Sequence, residues 1–467
     1  MQGDIDEMVT DTIAAIATGT TNSGIGIIRI SGEDAINIAE KIFRSNKGKK
    51  LIDVKSHTIH YGCITDNDKI VDEVLVSVMR EPNTYTRENI VEINCHGGVT
   101  VLNKVFETVL KNGARPAEPG EFTKRAFLNG RIDLSQAEAV IDVINSKNEY
   151  ALSSSVSQLR GSMSAKIKEI RDKILSNIAF IEAALDDPEH ISMDNYSKEL
   201  LETVNEIINE LEKLLNSSDN GRVIKEGIKT VILGKPNAGK SSFLNAILGQ
   251  DRAIVTEIEG TTRDILEENV NIHGISLNII DTAGIRNTED IVEKIGVDKA
   301  KKIAENADLI IYIVDTSRKL DDNDREIIEF IKNRKSIILL NKTDLENNLC
   351  EEDIEILEKI NTSNILKISA KNNIGIDIFE GTIKNMFFNG EVDFNDEIYI
   401  TNARHKYSII NALDSIKMVK ESIENHMPED FYTIDLMNSY EELGKIIGEA
   451  VEDDLVDKIF TSFCMGK

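Results

Sequence analysis

The chain has 467 residues, enough for about three domains with sizeable hydrophobic cores. Lys and Arg total 54 against 81 Asp and Glu, and the resulting net charge of −27 repels nucleic acid from the surface as a whole. No apolar run approaches the ~18 residues of a membrane span and the acidic start is unlike a secretory signal, so we expect a soluble cytoplasmic protein. Cys63, Cys95, Cys350 and Cys464 are too scattered for a disulfide framework or a zinc site.

Residues 1–120 alternate short apolar runs with turns that contain Gly and Pro, which predicts an N-terminal α+β domain. Residues 121–222 repeat apolar side chains at three- and four-residue spacing, which predicts a helical domain with Pro188 between two long helices. The first region also carries a dense basic cluster, formed by Arg44, Lys47, Lys49, Lys50 and Lys55. Its ordinary interpretation is a solvated loop, and the alternative is a local patch that attracts RNA.

Residues 223–388 alternate predicted strands and helices, which is the pattern of a mostly parallel sheet. Residues 389–467 return to a helical pattern but are too few to make a good independent core. We therefore expect them to pack on the earlier helices. The predicted fold is a multidomain α/β plus α arrangement, in which the α/β domain is inserted into a split helical domain.

A phosphate-binding loop is predicted at residues 234–241, where the sequence GKPNAGKS follows a buried strand and precedes an apolar-periodic helix. The glycines of such a loop let backbone N–H groups converge on phosphate oxygens, and the helix N-terminus adds its positive end. Lys240 would neutralise the β- and γ-phosphates, and the Ser241 hydroxyl would bind Mg²⁺.

A second predicted strand ends in the sequence DTAG at residues 281–284. The Asp281 carboxylate can hold the metal ion through water, and the Gly284 N–H can sense a γ-phosphate. Residues 256–262 lie between the two motifs, and a threonine there, such as Thr262, can reach Mg²⁺ only when the γ-phosphate is present.

The base is identified by the sequence NKTD at residues 341–344, after a third predicted strand. The Asp344 carboxylate can accept hydrogen bonds from N1–H and the exocyclic amine of guanine, whereas the N1 lone pair of adenine would be repelled. The sequence SAK at residues 369–371 can offer a backbone N–H to the guanine carbonyl. Four motifs in this order predict a protein that binds and hydrolyses GTP, and they exclude a generic ATPase.

The predicted ligand contacts follow from these motifs. The GTP-binding residues are Asn237, Ala238, Gly239, Lys240, Ser241, Ser242, Thr256, Glu257, Ile258, Glu259, Gly260, Thr261, Thr262, Asp281, Thr282, Ala283, Gly284, Asn341, Lys342, Thr343, Asp344, Ser369, Ala370 and Lys371. The Mg²⁺ ligands are Ser241 and Thr262.

Two features depart from many small GTPases. Ile285 stands where a glutamine often orients the attacking water, so the water must be positioned otherwise. A carboxylate within residues 286–294 could do this, or these charges are simply solvated. The side chain of Asn237 could bind a monovalent cation beside the phosphates, or it merely shapes the loop.

Motifs along nearly the whole chain resemble those of the MnmE (TrmE) family of bacterial and organellar tRNA modification GTPases. They are DTIAAIAT at residues 11–18, GIGIIRISG at 24–32, PNTYTRE at 82–88, CHGG at 95–98, PGEFTKRAFLNG at 119–130, DLSQAEA at 133–139, NAGKSS at 237–242, GTTRD at 260–264 and FCMGK at 463–467. The resemblance implies a homodimer formed through the N-terminal domains, with G domains that meet when GTP is bound.

The resemblance also implies ligands and a catalytic residue. Hydrolysis would depend on K⁺, and the cation shell would consist of Asn237, Thr256, Ile258 and Thr261. The catalytic carboxylate would be Glu293, in the matching sequence VEKIG at residues 292–296. A one-carbon tetrahydrofolate, either 5-formyl- or methylene-tetrahydrofolate, would bind to the N-terminal domain, with contacts from Arg29, Glu92, Arg131 and Lys467.

Some of these assignments have alternatives. Glu88 lies near Glu92 in the sequence, and Arg131 keeps the charge of a lysine that some family members carry. Cys464 is either an inert thiol or a functional one at the folate site.

The implied partner is MnmG, which uses FAD and NADH, in a heterotetramer or larger complex that acts on tRNA. The implied reaction adds an aminomethyl or carboxymethylaminomethyl group to C5 of the wobble uridine of certain tRNAs. From the residues alone, a ribosome-assembly GTPase and a purely regulatory GTPase stay open as alternatives. The first normally has a basic RNA-binding extension that is missing here, and folate binding would separate both from the leading hypothesis.

Overall fold

The structure is a computed structural model in which the chain is described over several ranges. They are residues 11–19, 21–193, 195–248, 268–272, 275–280, 304–305, 307–358, 364–388, 399–449, 453–461, 463 and 466. The chain divides into two compact units. The first comprises Met1–Ile144, Val156–Ile207 and Asn411–Lys467, and the second comprises Asn145–Ser155 and Ile208–Ile410.

In the described part of the first unit, seven strands form one sheet. They are β1 (Ile13–Ile16), β2 (Ser23–Ser31), β3 (Phe43–Ser45), β4 (Thr58–Asp66), β5 (Lys69–Met79), β6 (Ile90–Gly97) and β7 (Arg115–Pro116). Their order is β3-β4-β5-β6-β2-β1-β7, and each pair is antiparallel except β1 with β7. Since successive side chains of a strand point to opposite faces, the alternating sequence pattern gives this sheet one buried face and one exposed face.

Two helices, α1 (Ala35–Ile42) and α2 (Val99–Lys111), pack on the buried face. The fully buried residues of this core include Ile28, Ile30, Val76, Val78, Val91 and Ile93. On the opposite face, the strand register brings the exposed side chains of Ile59, Tyr61 and Leu75 together. The N-terminal region is therefore α+β, as predicted.

Five helices follow along the chain. They are α3 (Glu121–Leu128), α4 (Leu134–Asn145), α5 (Glu149–Leu159), α6 (Ser162–Asp186) and α7 (Tyr196–Glu226). The predicted break at Pro188 is confirmed, because α6 ends two residues before it and α7 begins at Tyr196. The predicted apolar stripe of α6 is buried, and it consists of Ile167, Ile170, Ile174, Ile178 and Ile181.

In the second unit, six described strands form a second sheet. They are β8 (Ile228–Leu233), β9 (Glu268–Ile272), β10 (Ile275–Ile279), β11 (Leu309–Asp315), β12 (Ser336–Asn341) and β13 (Ile365–Lys367), and the helices between and after them are α8 (Lys240–Leu248), α9 (Asp322–Ile331), α10 (Glu351–Glu358) and α11 (Ile376–Phe388). The order is β13-β12-β11-β8-β10-β9, and all pairs are parallel except β9 with β10. Every residue of β11 and β12 is buried, as expected for central strands covered on both faces. The predicted mostly parallel sheet is confirmed.

The start of α5 is attached to this second sheet. The amide nitrogen of Asn148 donates to the Ser276 hydroxyl at 3.0 Å and to the Ile224 carbonyl at 3.2 Å. These contacts explain why residues 145–155 belong to the second unit. The domain boundaries at residues 120, 222 and 388 stay predictions.

The last described helices are α12 (Ala403–Glu424), α13 (Glu429–Ile447) and α14 (Asp453–Phe460). Helix α13 packs on α6, where Arg171 donates to the Tyr440 carbonyl at 3.2 Å. Gly448, with φ +88°, ends α13, and α14 begins at Asp453. The C-terminal helices therefore return to the earlier helical segment, as predicted.

Candidate functional site

The predicted phosphate loop connects β8 to α8 in the second unit, so its strand–loop–helix setting is confirmed. Gly234 has φ +153°, and a Cβ there would lie 2.7 Å from the Ile313 carbonyl oxygen. Only glycine therefore lets the loop pass this close to β11. The first turn of α8 follows directly, and its backbone N–H groups can bind an anion.

The side chain of Lys240, the lysine of the phosphate loop, lies against the backbone of that loop. The ammonium donates to the carbonyls of Gly234 at 2.6 Å and Lys235 at 2.8 Å. Burial lowers the pKa of Lys240, because the charged form loses hydration. A partly desolvated ammonium at the start of a helix is well suited to bind phosphate oxygens.

A network that the sequence analysis missed holds the neighbouring lysine. Lys235 forms ion pairs with Asp321 at 2.5 Å and Asp324 at 2.6 Å, at the N-terminus of α9. Tyr312 donates from its hydroxyl to the other carboxylate oxygen of Asp324 at 2.6 Å. Burial acts to lower the pKa of Lys235, but hydrogen bonds to the two carboxylates raise it overall. Since the carbonyl of Lys235 accepts from Lys240, this network helps to fix the loop.

Asn341 connects the phosphate loop to the base-recognition segments. Its side chain is buried, donates to the Ala238 carbonyl at 2.8 Å and accepts from the Ala370 N–H at 3.0 Å. One amide thus joins three motifs, and the first and last of them are more than a hundred residues apart in the sequence. The structure thus brings residues 234–241, 341–344 and 369–371 together.

Asp344, the residue predicted to recognise the base, is exposed, and a neighbouring hydroxyl orients its carboxylate. Ser369 donates from its hydroxyl to Asp344 at 2.6 Å, and this hydrogen bond holds the pKa of the Asp344 carboxyl below its usual value. The carboxylate therefore stays ionised and can accept two hydrogen bonds from guanine. Nearby, burial acts against ionisation of Asp315, but hydrogen bonds from Lys342 and Ser317 outweigh it and lower the pKa of Asp315 to about 2.

Asn237 is exposed in the phosphate loop and has φ +61°, in the left-handed region that asparagine tolerates better than most residues. This conformation agrees with a loop-shaping role and leaves the side-chain carbonyl accessible. The cation role of Asn237 stays a prediction, as do the Mg²⁺ role of Ser241 and the contacts of Ser242.

Several predicted residues lie outside the described residues. They are Thr256, Glu257, Ile258, Glu259, Gly260, Thr261, Thr262, Asp281, Thr282, Ala283, Gly284, Glu293, Cys464 and Lys467. Their assigned roles stay predictions.

A second cluster of polar and aromatic groups lies in the first unit. Arg29 forms an ion pair with Glu92 at 2.8 Å and donates to the Gly466 carbonyl at 3.2 Å. The guanidinium of Arg131 lies 4.5 Å from the centre of the Tyr85 ring, and that of Arg29 lies 5.7 Å from the same ring. Three of the four residues predicted to bind folate therefore lie together, with Gly466 beside them.

A buried charge network lies next to this cluster and separates Glu88 from Glu92. Arg125 is 3% exposed and forms ion pairs with Asp11 at 2.5 Å, Glu88 at 3.1 Å and Glu121 at 3.0 Å. Arg115 forms ion pairs with Asp11 at 2.6 Å and Glu121 at 2.7 Å. We call Arg115 and Arg125 the arginine pair. Glu88 thus forms an ion pair with Arg125, whereas Glu92 forms an ion pair with Arg29.

The fold and the geometry of the second unit together define a class of protein. A phosphate loop on a mostly parallel sheet, joined through Asn341 to the segments of Asp344 and Ser369, is the arrangement of a P-loop nucleotide-binding protein. In the part of the chain that the structure describes, no helix is both long and apolar enough to span a membrane.

Known proteins match this chain over nearly its whole length. The family model "GTP-binding protein TrmE N-terminus" matches residues 12–131, and "MnmE helical domain" matches residues 134–464. The tRNA modification GTPase MnmE of Lachnoclostridium phytofermentans is 59% identical over 461 residues, which are 98% of this chain and 100% of the relative. The protein of the same name from Thermoanaerobacter pseudethanolicus is 51% identical over 462 residues, with the same coverage.

Among solved structures, a crystal structure of Era in complex with MgGDPNP and nucleotides of 16S ribosomal RNA is 27% identical. The alignment covers 40% of this chain and 66% of the Era chain, with a TM-score of 0.26. The family models and the full-length relatives decide the assignment. This chain belongs to the MnmE family of tRNA modification GTPases and is a GTP-hydrolysing enzyme.

Proposed function

We propose that this protein acts on tRNA together with the FAD- and NADH-using protein MnmG. The reaction adds an aminomethyl or carboxymethylaminomethyl group to C5 of the wobble uridine of certain tRNAs. The family membership supports the tRNA reaction. The single structural observation that carries the folate assignment is the cluster of Arg29, Glu92 and Arg131 around Tyr85, beside Gly466.

The residues of this cluster fit a reduced folate. The guanidinium group of Arg131 can bind a carboxylate of its glutamate tail, whereas Arg29 holds the Glu92 carboxylate in place. The Glu92 carboxylate can accept from the N–H donors of its pterin ring, and the ring of Tyr85 offers an aromatic face. The bound folate would supply the one-carbon unit that becomes the methylene group on the uridine. Lys467 is one residue beyond Gly466, so its predicted contact agrees with the position of the C-terminal segment.

GTP hydrolysis would take place in the second unit, where Lys240 and Ser241 bind the β- and γ-phosphates and Mg²⁺. A water molecule attacks the γ-phosphorus, the bond to the β–γ bridging oxygen breaks, and GDP and inorganic phosphate leave. Glu293 would orient this water, because Ile285 cannot. The K⁺ ion held by Asn237, Thr256, Ile258 and Thr261 would stabilise the charge that develops on the bridging oxygen.

The hydrolysis mechanism predicts a dependence on the monovalent cation. The steady-state GTPase rate should be high in KCl and at least about tenfold lower in NaCl, because the smaller Na⁺ fits the same oxygen shell poorly. Glu293→Ala should slow hydrolysis in KCl while the affinity for GTP is retained. Equal rates in the two salts would remove K⁺ from the mechanism.

We further propose that the protein is a homodimer that forms through its N-terminal domains and whose G domains meet when GTP is bound. The exposed side chains of Ile59, Tyr61 and Leu75 support the first contact, since they form an apolar surface on the same sheet face as Arg29 and Glu92. We place such a dimer in the cytoplasm.

The test of the proposed function is nucleoside analysis of tRNA from a strain that lacks this protein. The wobble uridines of the affected tRNAs should lose the modification at C5, and the wild-type gene should restore it. If the deletion strain contains as much modified wobble uridine as the parent strain, the tRNA function is refuted. In parallel, 5-formyltetrahydrofolate should bind to the wild-type protein and bind weakly to Arg131→Ala, whereas a ribosome-assembly or regulatory GTPase would not bind it.

A further inference from the structure

The β3 edge of the first sheet carries an unusual concentration of positive charge. Residues 41–60 contain six Lys or Arg and one Asp, a net charge of +5, within a chain of net charge −27. Five of these cations form a surface that we call the basic edge: Arg44, Lys47, Lys49, Lys50 and Lys55. All five side chains are exposed.

The cations of the basic edge are not neutralised by neighbouring carboxylates. Within the described ranges, none of the five forms an ion pair. Two acidic groups near the edge have other partners: Glu40 accepts from the Leu51 N–H at 2.5 Å, and Asp66 pairs with Lys104 at 2.9 Å and Lys111 at 3.5 Å. The positive charge of the edge is therefore available to an external anion.

The segment between Lys50 and Lys55 is held in a defined conformation. Leu51 is buried, and the guanidinium of Arg80 donates to the Ile52 carbonyl at 2.6 Å and to the Val54 carbonyl at 3.2 Å. Strand β3 pairs with β4, which places Arg44 opposite Cys63. Backbone that is already fixed loses little entropy when a ligand binds, so Lys50 and Lys55 project from a backbone that needs little further ordering.

We propose that the basic edge binds the phosphate backbone of tRNA. This inference rests on the proposed function, which makes tRNA the substrate. A polyanion is favoured over a protein partner, because Lys is depleted at protein–protein interfaces whereas phosphate contacts dominate nucleic-acid binding. Protection of an edge strand does not account for the cluster, since only Arg44 lies on β3 and the four lysines lie beyond it.

The inference also explains how an acidic protein can approach an acidic substrate. The charge of −27 repels tRNA from most of the surface, so the complex forms only where the local charge is reversed. The basic edge adjoins the β3 edge of the sheet that carries Arg29 and Glu92, so tRNA held there would be bound by the domain that is proposed to carry the one-carbon unit.

The test measures the affinity of the full-length protein for unmodified tRNA, purified from the deletion strain, as a function of salt. Each phosphate contact contributes about −0.9 to the slope of log Kobs against log salt concentration. The triple variant Lys47→Gln/Lys49→Gln/Lys50→Gln should therefore show a slope that is less negative by about 2.7. Between about 50 and 200 mM salt, wild-type affinity should fall roughly 40-fold more than that of the variant.

The matched control is Lys168→Gln/Lys198→Gln/Lys213→Gln, which removes the same charge from exposed positions on α6 and α7. It should keep the wild-type slope, and both variants should keep the wild-type GTPase rate and melting temperature. Equal slopes for the two triple variants would overturn the inference, as would a wild-type protein without affinity for tRNA. An edge variant that binds tRNA normally but loses MnmG would also overturn it, in favour of a protein surface.

Failure of this inference differs from failure of the proposed function. If the edge variant restores wobble modification in the deletion strain and binds tRNA like the control, the basic edge is not the tRNA surface, although the function stands. If the deletion strain keeps its modification, the proposed function itself fails.

Discussion

Asn341→Ala should separate two parts of the GTP site that a single amide now joins. The substitution removes the donor to the Ala238 carbonyl and the acceptor for the Ala370 N–H, both of which are buried. Asn341 is only 2% exposed, so bulk water does not reach these two groups in the folded protein. The phosphate loop and the segment after β13 would then lose their shared contact.

The size of the effect follows from these two hydrogen bonds. A buried polar group left without its partner costs about 1–3 kcal/mol. The variant leaves two such groups, so the arrangement in which the two loops are joined should be destabilised by roughly 2–6 kcal/mol. If about 3 kcal/mol of this falls on binding, the affinity for GDP drops about 100-fold, because each 1.4 kcal/mol is a factor of about ten.

The assay is titration of a fluorescent guanine nucleotide, together with thermal unfolding of the protein without nucleotide. Asn348→Ala is the control in the same region, since its side chain donates to the Ser317 carbonyl at 2.9 Å from an exposed position. The control should change the nucleotide affinity less than about threefold, in keeping with an exposed hydrogen bond. An Asn341→Ala protein that binds GDP within threefold of wild type would show that the loops are positioned independently.

Three more changes test other parts of the molecule. Asp344→Asn should shift the preference from GTP to xanthosine triphosphate in competition assays, because an amide can donate to the carbonyl that replaces the guanine amine; a variant that still prefers GTP would refute the base-site assignment. Burial acts against ionisation of Asp11 and Glu121, but the arginine pair keeps the pKa of both carboxyls below their usual values, so their stabilising effect is present at neutral pH and lost as the pH falls below about 4. Arg125→Met should lower the melting temperature at pH 7 and weaken its dependence on acid, whereas an unchanged acid profile would contradict this explanation. Deletion of residues 464–467 should abolish reconstituted tRNA modification with MnmG, folate, FAD and NADH but spare GTP hydrolysis, and wild-type modification by the truncated protein would refute a role for the C-terminus.

The nucleotide chemistry could be predicted from the sequence because each of its motifs is local. A run such as residues 234–241 contains the glycines, the lysine and the hydroxyl that a phosphate loop requires, and the flanking apolar periodicity identifies the strand and helix around it. The same holds for the buried stripe of α6 and for the break at Pro188. These features depend on backbone conformation and side-chain type within a few residues.

The tertiary structure alone decided which distant groups meet. Arg29 and Gly466 are 437 positions apart and form a hydrogen bond, and no periodicity predicts that contact. In the same way, the pairing of Lys235 with Asp321 and Asp324 depends on how α9 packs beside the loop. Local patterns determine strands, helices and loops, whereas the partners of a buried charge are determined by the packing of whole elements, which a single sequence does not record.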